Sequence, residues 1–128
     1  MTSDDAVRIT RRHIESKFPK TCSSCGRTYT TLADYLRQTR HVGQPVSYDV
    51  ELGDWAPRDP LGTQSFANCI CGSTMIIDSH GMTPLTMARL LRWGRAETRR
   101  RGISMRELLE WVRAQVDQQV LREYDISP

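Results

Sequence analysis

Cys22-Ser23-Ser24-Cys25-Gly26 and Cys69-Ile70-Cys71-Gly72 contain every cysteine of the chain, and each pair runs straight into a glycine. The two stretches lie too far apart in sequence for a local turn to join them. One tetrahedral metal ion is the simplest bridge, because four thiolates make a soft site that selects Zn²⁺ over harder cations, with Zn–S distances of about 2.3 Å. The glycines have their own reason. In a cysteine knuckle, backbone N–H groups turn toward sulfur, and a residue without Cβ accepts the left-handed conformation this needs. Cys22, Cys25, Cys69 and Cys71 are therefore the expected metal ligands. Four protein ligands leave no open position for water, so the expected role of the ion is structural and not catalytic.

The 128 residues suit one domain, a metal-stapled module with a helical extension. Eighteen basic residues against fifteen acidic ones give a net charge of only +3. Apart from Lys17 and Lys20 every basic residue is arginine, a bias that reads as a GC-rich, bacterial-type coding sequence before it reads as nucleic-acid binding. Hydrophobic residues make up 38%, a thin core that a metal would help to hold. No window approaches the roughly 18 apolar residues that cross a bilayer, and no apolar leader follows Met1, so the expectation is a soluble, cytoplasmic protein without a membrane partner. In that compartment paired cysteines are metal ligands or redox groups more often than disulfides.

Working outward from the cysteines, residues 2–18 read as a helix. Thr2 or Ser3 caps it, Asp4 and Asp5 suit its positive end, and Pro19 stops it. After the first pair, Arg27-Thr28-Tyr29 suits a short strand. Thr31 to Asp34 resembles a capping box that opens a helix through about Arg40, with Leu32, Tyr35 and Leu36 on its buried side. His41 follows. A finger with two cysteines and two histidines is rejected. The interval from Cys25 to His41 exceeds its roughly twelve residues, and no second histidine comes three to five positions later. His41 is kept as a substitute ligand. The alternation of Val46, Tyr48, Val50 and Leu52 predicts a strand over 46–52, and Gly53 to Gly62 an exposed loop with Trp55 at its tip. Ser73 to Asp78 reads as a further strand.

Cys22-x-x-Cys25-Gly26 with Cys69-x-Cys71-Gly72, each followed by an expected strand, resembles a zinc-ribbon or treble-clef zinc-binding module over residues 20–78. The resemblance implies a structural metal site and a role in binding nucleic acid or protein. The second pair departs from the usual Cys-x-x-Cys spacing.

Beyond it, Thr83-Pro84 is helix-start chemistry, and the helix runs from 84 to 101 before Gly102. Met87, Leu90, Leu91, Gly94 and Thr98 share one arc. Arg89, Arg92, Arg95, Arg99 and Arg100 share the other, with Trp93 among them. Ser104 to Glu107 is a capping box for a last helix to about Tyr124, whose stripe is Met105, Leu108, Leu109, Val112, Val116 and Val120. Trp111 and Leu121 lie outside the stripe.

The expected fold is thus α+β: a zinc-binding module with an N-terminal helix over 1–80, and a C-terminal helical hairpin over 81–128 packed on the same core. Enzyme motifs are missing: no phosphate loop, no nucleophile elbow, no His-Glu-x-x-His, and adjacent Asp78-Ser79-His80 do not make a triad. The leading functional expectation is a small regulatory or adaptor protein acting through a protein partner, or through a homodimer of its C-terminal helices. The next is a nucleic-acid-binding regulator whose five helix arginines contact phosphates. A third is a thiol redox sensor.

Overall fold

The computed structural model describes residues 1–47, 63–79 and 81–126. Within them the fold is α+β, with four helices and two small antiparallel sheets. The loop expected over 53–62, with Trp55, and residues 48–52 of the strand expected over 46–52 lie outside the described residues.

Helix α1 spans Ser3–Glu15. The Thr2 hydroxyl accepts from the Asp5 N–H at 3.1 Å, and the Asp5 carboxylate accepts from the Thr2 N–H at 3.0 Å. This reciprocal box satisfies donors that a helix start leaves unpaired. The helix ends earlier than the expected residue 18. Lys17 and Phe18 bond back to Ile14 and Glu15 in tight turns ahead of Pro19. Ala6, Val7 and Ile14 face the core.

Strands β1 (Lys20–Thr21) and β2 (Thr28–Tyr29) pair antiparallel, Lys20 opposite Tyr29, so the first cysteine pair occupies the turn between them. Helix α2 (Leu32–Gln38) is capped by the Thr31 hydroxyl. It stops short of the expected Arg40 because Thr39 is extended, with φ −111° and ψ 160°, and its hydroxyl donates to the Tyr35 carbonyl at 2.6 Å. Arg40 instead begins strand β3 (Arg40–Ser47), which reaches well upstream of the expected start at residue 46. With β4 (Thr63–Asn68) and β5 (Thr74–Asp78) it forms a sheet in the order β3-β4-β5. Asn68 pairs with Thr74, so the second cysteine pair occupies the β4–β5 turn.

Helix α3 (Pro84–Arg101) begins at the Thr83 cap with proline in its first turn, and ends at Gly102, whose φ of 67° is left-handed. Helix α4 (Met105–Ile126) starts on the box between Ser104 and Glu107. It packs against α1, α2, α3 and β3. Leu108, Leu109, Val112, Val116 and Val120 are all buried there, and Met105 is half-buried. Each such buried side chain contributes about 1.5–3 kcal/mol. The stripe therefore serves the chain's own core from several sides and is more than a seam with α3. Trp111 and Leu121 also pack on this core, and the Arg101 guanidinium lies 4.1 Å above the Trp111 ring.

One placement differs from the sequence pattern. Trp93, expected among the arginines, is only 8% exposed and is buried with Leu90 and Gly94. A large aromatic gains more from burial than the smaller Thr98 on the predicted arc, and the helix is rotated accordingly.

Candidate metal centre

The two turns meet. The sulfurs of Cys22, Cys25, Cys69 and Cys71 all lie within 4.8 Å of one another. Cys22 Sγ is 3.7 Å from Cys71 Sγ, and Cys25 Sγ is 3.7 Å from Cys69 Sγ. A tetrahedron with sulfur about 2.3 Å from its centre has edges of about 3.8 Å, so the four thiols can hold one metal ion. They form no disulfide. The first cysteine of each pair is buried and the second exposed.

Both turns solve the same backbone problem. Cys22 N–H donates to the Arg27 carbonyl and Gly26 N–H to the Cys22 carbonyl; Cys69 N–H donates to Ser73 and Gly72 N–H to Cys69. Gly26 and Gly72 have φ of 77° and 92°, the left-handed region expected of them. The second turn closes one residue sooner, on Ser73, and this absorbs the short Cys-x-Cys spacing: Cys71 still reaches the cluster.

The thiols do not share one proton affinity. The Tyr29 hydroxyl, 3.0 Å from Cys69 Sγ, leads the interactions that hold Cys69 down at about 6. The Ser73 backbone N–H and then its hydroxyl lower Cys71. The Arg27 backbone N–H also favours the Cys25 thiolate, but loss of hydration within the cluster and the three neighbouring sulfurs together push it up to about 11. Four thiolates cannot crowd together without a cation between them, and this spread is the physical expression of that.

Tyr29 was not anticipated as a site residue. Its ring meets Tyr35 edge-on at 5.6 Å, and Tyr35 meets Phe18 at 5.8 Å, so an aromatic chain ties the thiol cluster to α2 and the end of α1. Arg27, which follows the first knuckle, lies 5.7 Å over the Tyr29 ring and donates to Gln38. His41 is outside the four-thiol group. It is exposed on β3 and lies near enough to Asp117 to favour that carboxylate.

Of the expected helix arginines, Arg89, Arg92, Arg95 and Arg99 are exposed on α3, and among the described residues none has an ion-pair or hydrogen-bond partner. Arg100 is held by Glu97, which also takes Arg101. In the tempting Asp78–His80 run, Asp78 pairs with Lys17 at 3.1 Å and Ser79 is fully buried.

Arg113 is the largest feature that the sequence reading missed. It is 2% exposed, and its Nη2 donates to Ser65 Oγ at 2.7 Å. Its Nε and Nη1, with Tyr35 Oη and Asp117 Oδ1, have no hydrogen-bond partner among the described residues. The signal was present: Arg113 is one turn after Leu109 on the edge of the apolar stripe, with Asp117 one turn further.

Comparison with models of protein families, with curated proteins and with solved structures finds no match.

Proposed function

We propose that the chain is a structural-zinc protein, a small regulator that binds nucleic acid through the outward face of α3. Zinc is the ion of choice for four sulfur ligands in tetrahedral array. With all four positions filled by protein, the ion has a stapling role, holding two knuckle hairpins of a zinc-ribbon or treble-clef-like module.

One observation carries the functional reading: Arg89, Arg92, Arg95 and Arg99 project from one exposed helix face while the only acid on that helix, Glu97, is occupied by Arg100 and Arg101. Guanidinium forks suit phosphate oxygens, and the helix presenting them is fixed to the core by Leu90, Trp93 and Gly94. Trp111 and Leu121, the residues outside the α4 stripe that suggested a partner or homodimer, pack against the chain's own core, and that expectation weighs less.

Binding to nucleic acid at low salt, falling steeply as salt rises, tests the reading. Four phosphate contacts on duplex DNA give a slope of roughly −3.6 in log affinity against log salt. Replacing Arg92 and Arg95 by Glu should abolish the complex. A second reading, an adaptor with a protein partner, draws on Leu85 and Ile70, which are 72% and 64% exposed. Salt-insensitive capture of a protein partner, lost in L85E, would favour it.

A further inference from the structure

The exposed side of α3 has an internal order. Successive side chains of a helix are about 100° apart. On that wheel Arg92 occupies the middle of the exposed arc, Arg95 one flank and Arg89 the other, each about 60° away, while Arg99 falls about 20° from Arg92 and two turns further along. One turn before and one turn after Arg92 stand Ala88 and Ala96, both exposed. A long central arginine thus rises between two short side chains, with Arg89 and Arg95 at the edges.

Among the described residues this face carries no aromatic platform. Trp93 is buried beneath it, Trp111 is covered by Arg101, and Tyr124 is covered by the Arg37 guanidinium at 3.9 Å. Phe18, Tyr29 and Tyr35 pack on one another. Single strands are gripped by stacking their bases on aromatic rings, and among the described residues α3 offers none for it. A helix about 10–12 Å across does match the major groove of B-form DNA, about 12 Å wide.

We infer that α3 binds duplex DNA in the major groove, with Arg92 facing the base edges and Arg89 and Arg95 contacting the phosphates on either side. This rests on the nucleic-acid reading of the same face and adds the form of the nucleic acid and a division of labour. Ala88 and Ala96 let the helix approach the groove floor, where the Arg92 fork meets guanine O6 and N7, the pairing its geometry favours. The flanking arginines fix position without reading sequence.

The test uses the full chain with three probes: a short guanine-containing duplex, the same duplex with 7-deazaguanine, which lacks the N7 acceptor, and the single strand. The duplex should bind more tightly than the single strand, and the 7-deazaguanine substitution should weaken binding several-fold. R92A should bind both duplexes equally. R95A should weaken both alike and reduce the salt slope by about one. Both residues are exposed, so circular dichroism of the variants should match the parent chain. Single-strand binding as tight as duplex binding, or the same response of wild type and R92A to 7-deazaguanine, overturns the groove assignment and leaves the nucleic-acid reading standing. Failure of every probe to bind at low salt removes both.

Discussion

Cys22 and Cys71, 49 positions apart, place their sulfurs 3.7 Å from each other. Neither shares a hairpin with the other; one lies between β1 and β2, the other between β4 and β5. The two sheets are separate, so the thiol cluster is where they join, and the consequences of disturbing it can be stated residue by residue.

Tyr29→Phe removes the hydroxyl beside Cys69 and keeps the ring that packs on Tyr35. The fold should persist while zinc affinity falls. Groups that hydrogen-bond to metal ligands are worth about 10–100-fold in affinity. Competition against a chromogenic chelator measures this, and an unchanged affinity would mean that the hydroxyl does not support the ligand.

Gly26→Ala and Gly72→Ala test the knuckle backbone. A methyl group at either position meets nothing within 4 Å, so the penalty is purely conformational. Holding an L-residue in the left-handed region costs about 1–2 kcal/mol. Denaturant midpoints of the metal-loaded protein should drop by that amount, with zinc content retained. A loss beyond this range would point to a clash that the geometry does not contain.

Arg113→Met should be far more damaging. It leaves half-buried Asp117, whose Oδ1 is enclosed, without the guanidinium that favours its charge, and removing one member of a buried charge pair costs up to about 3–5 kcal/mol. Adding Asp117→Leu removes the stranded carboxylate and should restore more than half of the loss, since apolar replacement of interacting charges in a core is often neutral. Equilibrium unfolding of the two single variants and the double variant decides it. Strict additivity would show that the two residues do not act as a unit.

The residues that were legible in the sequence are those whose chemistry is local. Thr83-Pro84, Gly102 and the Ser104–Glu107 box mark the ends of α3 and α4 because capping depends on a few adjacent residues. The knuckle glycines were legible for the same reason. Residues whose placement is decided by distant neighbours were not. Trp93 follows the helix wheel ambiguously until the core claims it. Arg113 is an ordinary helix-edge arginine until β4 places Ser65 beside it, and Tyr29 a strand tyrosine until the second hairpin brings Cys69 to its hydroxyl.

Acid stability provides a pH test away from the metal. Hydrogen bonds from Arg100, then Arg101, hold Glu97 down at about 2 against an ordinary 4.5. The folded value lies below the unfolded one. The stabilisation is therefore complete above about 4.5 and is lost as pH falls toward 2. Glu97→Gln should flatten the melting temperature across that window and leave its slope above pH 5 unchanged, roughly the upper end of carboxylate titration. An identical acid slope in the variant would rule the pair out as a contributor.

The account turns on four thiols acting as one metal site, and elemental analysis reaches that claim most directly. Protein purified under reducing conditions, without added metal, should carry one zinc per chain, and Cys71→Ser, the variant at the tight Cys-x-Cys pair, should lose it. Protein that is folded, reduced and free of stoichiometric zinc or any other metal would contradict the account.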